Sequence, residues 1–249
     1  MTSALRSFAI LAALMAGCAS EAPSEILRDT ARYQSVVELP APDVTGPISL
    51  EQALRERRSA REFSGREPTL ETIGQLFWAG QGITDDDGRR TAPSAGGTYP
   101  LDLYAVTASD LMHYLPVGHR AEQRADATTL SSLGDAAFGQ EFVGEAPLVL
   151  VITGDPSRTE QKYGAVARDL MNREAGHAAQ NVLLQATTLG LAAVPVGGFD
   201  PEAVERLLAL PPGQAALYLI PVGTPPQSGD DRTNAARASR GVDLSRVTP

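Results

Sequence analysis

Residues 148–153 read LVLVIT, a continuous apolar run rather than an alternating one. Alternation would mark a strand with one wet face, whereas a continuous β-rich run marks a central strand buried on both faces. Such a strand obliges the chain to cover each side of the sheet that contains it. With 249 residues, 43% of them hydrophobic, there is material for one good core with tails around it.

The cover shows as helical periodicity. Ser49-Leu50-Glu51-Gln52 has capping-box spacing, and Leu50, Ala53 and Leu54 follow at helical intervals, so a helix is expected to end near Arg57 or Arg58. Thr69 caps a second helix whose apolar face is Leu70, Ile73, Leu76 and Phe77, closed near Gly80 or Gly82. Residues 83–97 read as loop. Leu101, Leu103 and Ala105 then alternate with Asp102, Tyr104 and Val106 as a strand, and residues 111–115 form a second arm of a hairpin. Short helices are expected over 128–133 and 136–142. Residues 158–189 are helical in pattern, as two helices meeting around 172–176, with a further helix over 201–210 and a last strand over 216–222. Helices and strands mix without regular βαβ alternation. That favours an α+β domain with helices flanking a mostly antiparallel sheet.

The first residues, MTSALRSFAILAALMAGCAS, carry one positive charge at Arg6 and an apolar run over 8–16. The run is too short to span a bilayer but has the length of a signal-peptide core. Leu14-Met15-Ala16-Gly17-Cys18 resembles a bacterial lipobox, with Met15 where Leu is usual. The resemblance implies cleavage before Cys18 and a lipid on its sulfur, tethering the chain to the cell envelope without spanning it. The alternative is an ordinary buried cysteine in an N-terminal helix. Residues 19–47 are polar and proline-punctuated apart from an amphipathic patch near 26–37, and read as a flexible tether or an arm packed on the domain. The expected divisions are therefore 1–18, 19–47, a domain over 48–224, and a polar tail over 225–249.

Cys18 is the sole cysteine, which excludes an intramolecular disulfide framework and Cys-rich metal sites. His113, His119 and His177 lack metal-ligand spacing, and His177 is expected to cap or pack a helix. A net charge of −9 without basic clusters interleaved with aromatics gives nucleic acid little to bind. Lys162 is the only lysine, so a charged anion site must be built from arginine. No GxSxG, GxGxxG or GxxxxGK[ST] pattern is present.

Four short stretches offer chemistry. Arg57, Arg58, Ser59 and Arg61 in RRSAREF concentrate guanidinium forks and a hydroxyl suited to phosphate, although a solvated helix end would read the same way. Pro93, Ser94, Ala95, Gly96 and Gly97 in APSAGGTYP form a small-residue loop that permits close approach to the backbone, or simply a turn before a strand. EAGHAAQN, with Glu174, Ala175 and Gly176, reads as the opening of an Ala-rich helix, whose N-terminus could face electron-rich ligand groups or whose small residues could serve packing alone. Gly197 and Gly198 close the apolar PVGGF segment.

In this order and spacing, RRSAREF, WAGQGIT, RRTAPSAGGTYPLDLY and EAGHAAQNVLLQATTLGL with PVGGF resemble the nitroreductase superfamily of FMN proteins, specifically its SagB/ThcOx-type branch. The resemblance covers roughly residues 49–223. It implies a nitroreductase-like α+β fold and a homodimer holding FMN at the subunit interface. Arg57, Ser59 and Arg61, with Arg58 beside them, would hold the FMN phosphate and ribityl chain. Pro93, Ser94, Ala95 and Gly96 would lie against the isoalloxazine, donated by the second subunit. Glu174, Ala175 and Gly176 would lie near the reactive edge, Gly197 and Gly198 would donate N–H groups to the pyrimidine side, and Gln81 would make a polar flavin contact. Catalytic candidates are Glu174 and Tyr99.

The chain departs from that pattern in two places. No Lys or Arg follows the last strand at 223–227, where many relatives complete the phosphate site, and Arg232 is only a distant substitute. Azoline-oxidising relatives use a Lys and a Tyr for deprotonation, for which only Lys162 and Tyr99 or Tyr104 are available. The implied activity is an FMN-dependent oxidoreductase working by ping-pong hydride transfer on a small molecule, with NAD(P)H as a candidate donor. A lipid-tethered flavin-binding or interaction module without turnover is the contrasting possibility, and an azoline- or peptide-oxidising dehydrogenase is a third. Export would separate the domain from NAD(P)H, so FMN is the firmer cofactor expectation.

Overall fold

The computed structural model describes residues 32–226. Its strands are β1 (Ser35–Glu38), β2 (Leu101–Val106), β3 (Asp110–Leu115), β4 (Arg120–Ala125), β5 (Leu148–Gly154), β6 (Ala192–Ala193) and β7 (Ala215–Gly223). They form one sheet in the order β1-β4-β3-β2-β5-β7-β6, and every strand pairing in it is antiparallel. The helices are α1 (Leu50–Glu56), α2 (Leu70–Gln81), α3 (Thr129–Ala136), α4 (Phe142–Glu145), α5 (Ser157–Tyr163), α6 (Ala167–Thr188) and α7 (Pro201–Leu208).

LVLVIT is the spine of this arrangement. β5 runs between β2 and β7 and is buried along its whole length. Leu148, Leu150 and Ile152 pack with Leu76 and Phe77 of α2 and Met171, Ala178 and Val182 of α6. Val149 and Val151 point the other way, toward Leu133, Val143, Val204 and Leu208 of α3, α4 and α7. Each such side chain contributes on the order of 1.5–3 kcal/mol on burial, which is why the run cannot tolerate an uncovered face. The expected α+β class with helices on an antiparallel sheet is the one observed.

Local signals explain most boundaries. Ser49 Oγ accepts from Gln52 N at 3.1 Å and Thr69 Oγ1 from Thr72 N at 3.4 Å, so both expected caps start their helices. Gly82 N donates to Trp78 O at 2.7 Å and closes α2. Inside α2, a Cβ on Gly80 would meet Leu103 Cδ1 at 2.7 Å and Val182 Cγ2 at 3.2 Å, so glycine lets α2 settle against β2 and α6.

Several expectations are corrected. The long helical region breaks at Gly164, whose φ of 55° and ψ of −135° suit glycine, and not around 172–176. Residues 167–188 are one helix, which places Glu174 about two turns inside it and removes the helix-terminus reading of EAGHAAQN. His177 is exposed mid-helix and neither caps nor packs α6. The helix expected over 136–142 is a turn with Phe138 and Gly139 at positive φ, followed by the short α4. β1, β4 and β6 had no sequence prediction. Within the expected arm, β1 pairs with β4 and so is a sheet edge. The signal, Cys18, the first part of the arm, Arg232 and the C-terminal tail lie outside the described residues.

Candidate active site

Two groups of candidate residues gather at different places in the chain. The first forms at the β6 edge of the sheet. Ala60 N donates to Ala193 O at 3.1 Å and Ser64 N to Thr224 O at 2.8 Å, so RRSAREF runs as an extra extended segment beside β6 and the end of β7. This sets Ser59 and its neighbours Arg57 and Arg61 beside the segment that continues from β6 to Gly197 and Gly198. Arg58 turns back to its own helix end, donating to Arg55 O and Arg57 O at 2.8 Å each. Arg61 lies over the Phe142 ring at 5.6 Å. Among the described residues, neither Arg57 nor Arg61 has a carboxylate partner. The N–H groups of Gly197 and Gly198 likewise have no hydrogen-bond acceptor among them, while Gly198 O accepts from Gln140 Nε2 at 2.7 Å.

The second group lies where α2, the loop before β2 and α6 meet. Glu174 is 3% exposed and its Oε1 has no partner. Burial pushes its carboxyl up to about 7, against the opposing effects of the Ser94 hydroxyl and the Arg90 guanidinium. Gln81 is 1% exposed, with Oε1 accepting from Arg90 at 2.8 Å and Nε2 left without a partner. Such orphaned buried polar atoms are uncommon and ask for an explanation.

The loop itself is tightly determined. Gly96 and Gly97 have φ of 62° and 68°, and Tyr99 holds a φ of 46° that costs a non-glycine residue energy. Ser94 Oγ accepts from Tyr99 N at 2.9 Å, and Thr98 Oγ1 pairs with Thr159 Oγ1 at 2.8 Å. Arg158 donates to Tyr99 O at 3.4 Å and Lys162 to Gly96 O at 3.3 Å, so α5 holds the loop from behind. A Cβ on Gly96 would meet Lys162 Nζ at 2.6 Å and Tyr163 OH at 2.7 Å. The close neighbour of Gly96 is therefore α5, whereas the Cβ direction of Gly97 is open up to Tyr99 at 4.0 Å. Pro93 is exposed and Ala95 half-buried. On α6, Gly176 is half-buried with no atom within 4 Å of its would-be Cβ, while Ala175 faces the core.

Tyr104 does not belong to this group. It is buried on the opposite face of the sheet, with the β2 carboxylate of Asp102 and with His113. Asp102 is paired with Arg158 at 2.7 Å, bonded by Gln214, and lies 3.7 Å from His113 Nε2. Burial alone would raise its carboxyl, but the His113 imidazole and the Arg158 guanidinium outweigh that and hold it at about 2. Arg158 thus fastens the loop to a buried ion pair beneath it.

Sequence reasoning missed Arg90. Its side chain links Gln81 to the Tyr99 ring, with the guanidinium 4.4 Å from the ring centroid. The available signal was its place in RRTAPSAGG, directly before the loop, but Arg89 beside it has the same chemistry. Among the described residues no hydrogen bond or ion pair joins the Arg57–Arg61 group to the Glu174 group.

A family model described as "Nitroreductase family" matches residues 54–224. The Methanocaldococcus jannaschii protein named "Putative nitroreductase MJ1384" is 37% identical over 194 residues, covering 75% of this chain and 96% of that protein. A Thermus thermophilus protein named "NADH dehydrogenase" is 33% identical over 132 residues, covering 42% of this chain and 64% of that protein. Among solved structures, a Ralstonia eutropha protein with the first relative's description superposes with a TM-score of 0.69 at 29% identity, covering 78% of this chain and 90% of that one.

Proposed function

The chain belongs to the nitroreductase family, and on that premise we propose that it is an FMN-dependent oxidoreductase. It passes reducing equivalents to or from a small molecule in alternating, ping-pong half-reactions. The observation that carries the proposal is the pair of buried, unpartnered polar atoms, Glu174 Oε1 and Gln81 Nε2, at a loop held rigid by α5. Together with the open space at Gly97 and Gly176, they fit a flat ligand with a polar edge.

When bound, FMN supplies hydride acceptance and return at its N5. Arg57, Ser59 and Arg61 bind its phosphate end, using guanidinium forks that no carboxylate occupies. Gly197 and Gly198 offer two free N–H groups to the electron-rich edge of the ring, where donors stabilise developing negative charge. Glu174, with its carboxyl near 7, holds or releases a proton at Oε1 in the neutral range. Ser94 and Tyr99 fix the loop geometry around it.

We further infer a homodimer of the SagB-like type, in which the loop of one chain completes the Arg57–Arg61 group of the other. The lack, among the described residues, of any hydrogen bond or ion pair between the two groups within one chain supports this. The Thermus thermophilus relative's name, "NADH dehydrogenase", brings a nicotinamide donor into the proposal. Lipidation at Cys18 would instead place the domain on the extracytoplasmic side, where NAD(P)H is absent, so an anchored enzyme needs another reductant.

The test is to purify the full-length Cys18→Ser chain and record its spectrum. A yellow protein whose flavin absorbance bleaches with a reductant is expected. Colourless protein that takes up no added FMN would overturn the proposal. One observation favours a second reading, a flavin-binding module without turnover: Thr224, Pro225 and Pro226 after β7 supply no basic group to the phosphate end. Turnover of quinones or nitroaromatics with an artificial donor excludes that reading.

A further inference from the structure

We propose that Arg90 binds a negative charge carried by the ligand of this site, and so selects what the site accepts. The side chain is half-buried and fixed on two sides. One N–H bonds Gln81 Oε1 at 2.8 Å, and the guanidinium lies 4.4 Å from the centroid of the Tyr99 ring. Neither neighbour is an anion. Among the described residues no carboxylate lies within 4.0 Å of Arg90, in contrast to adjacent Arg89, which pairs with Asp85 at 2.9 Å and Asp87 at 2.8 Å.

The nearby acids do not fill the role. Asp102 is committed to Arg158 at 2.7 Å. Glu174 lies outside ion-pairing distance, and burial pushes its carboxyl up to about 7, which holds back its negative charge. Taking a cation out of water without a counter-charge is costly, so an anion arriving beside this guanidinium would offset that cost. An arginine has five N–H donors, so the bond to Gln81 leaves a fork for a planar anion. The ring beneath it is held in place, since Tyr99 is bonded through both its N–H and its C=O. Gln81 Nε2, buried and without a partner, provides a further donor beside the guanidinium.

The charge could sit on a substrate, as a carboxylate next to the group being reduced, or on the reduced flavin ring. The second source rests on the proposed function, and the first does not. The experiment compares full-length wild type, Arg90→Gln and Arg90→Lys, before and after loading with FMN. Para-nitrobenzoate and para-nitrobenzamide, equal in size and different in charge, are followed by calorimetry in both states and by KM in the loaded state. If the substrate is the source, Arg90→Gln weakens the acid about tenfold or more and leaves the amide unchanged, with Lys in between. If the flavin is the source, Arg90→Gln weakens reduced FMN about tenfold relative to oxidised FMN, lowering the two-electron potential by about 30 mV.

Equal effects on acid and amide with an unchanged potential would overturn the proposal, as would a mere loss of thermal stability. If the Gln variant does not fold, the wild type's own preference for acid over amide, its potential, and their change in Arg90→Lys decide the matter. Wild type and Lys variant alike in both measurements would then refute it. Should the chain take up no FMN, the functional reading falls, while calorimetry on the unloaded protein still judges Arg90.

Discussion

Replacing Glu174 by Gln should stabilise the protein, and by an amount that depends on pH. The glutamate is 3% exposed, its Oε1 has no partner, and burial lifts its carboxyl from an ordinary 4.5 to about 7. Between those values the folded chain keeps a proton that the unfolded chain has released. Stability therefore falls by roughly 1.4 kcal/mol for each pH unit across the window and levels off above about pH 7. The whole penalty is about 3 kcal/mol. Glutamine has nearly the same shape and no charge to bury, so it escapes the penalty while the Ser94 hydroxyl keeps an acceptor.

The measurement is urea denaturation of both proteins before FMN loading, at about pH 4.5, 6 and 8, followed by the fluorescence of Trp78. That residue is the only tryptophan and lies half-buried on α2, in the layer that packs against α6. Contributions from Asp102, Asp126 and His113 are common to both proteins and cancel in the difference. The Gln variant should match the wild type near pH 4.5 and exceed it by about 3 kcal/mol at pH 8. A difference that stays constant across this range would show that Glu174 does not titrate there. The same result would remove it as a proton carrier.

Other perturbations separate the supports of the site from the site itself. Arg158→Met should cost about 3–5 kcal/mol, because Asp102 is left buried without its partner, and should loosen the loop at Tyr99; proteolysis within 94–99 would report the second effect. Because Asp102 is held at about 2 in the folded chain, its contribution is present above about pH 4 and is lost as pH falls toward 2, an acid-side loss that Asp102→Asn should flatten. Gly176→Ala should change stability by less than about 1 kcal/mol, since its Cβ direction is open, yet should weaken FMN uptake; unchanged FMN affinity, read by flavin fluorescence, would move the ligand away from this turn of α6.

Much of the fold could be read from the chain because local rules and burial agreed. LVLVIT and the Ser49 and Thr69 caps each point to one structure, and each is observed, while β2 is the expected strand but is buried on both faces. β4 escaped because RAEQRA has neither β-branched nor aromatic residues, and its strand state comes from pairing with β3 and β1. The misplaced break in the long helix has an equally specific cause. Gly176 and Gly164 are equivalent as residue types, but Gly176 sits in helical backbone, while Gly164 adopts a conformation that ends a helix. A glycine's sequence position does not say which use the fold makes of it. Gly96 shows the same ambiguity, since the closeness expected for a ligand is supplied by Lys162 and Tyr163.

The site divides along a similar line. The family resemblance carried by the order of the motifs singled out Ser94, Tyr99, Glu174 and Gln81, which converge through Arg90. What order could not supply is the state of each charge. In the sequence Asp85, Asp86, Asp87, Arg89 and Arg90 lie together in one loop, with nothing to tell the two arginines apart. In the folded chain Arg89 takes Asp85 and Asp87 at the surface, and Arg90 turns inward to an amide and a ring. Arg90 thus takes no part in the turn's ion pairs. Among the described residues its guanidinium has no carboxylate within 4.0 Å, and that distinction arises only from the direction in which two adjacent, identical side chains point.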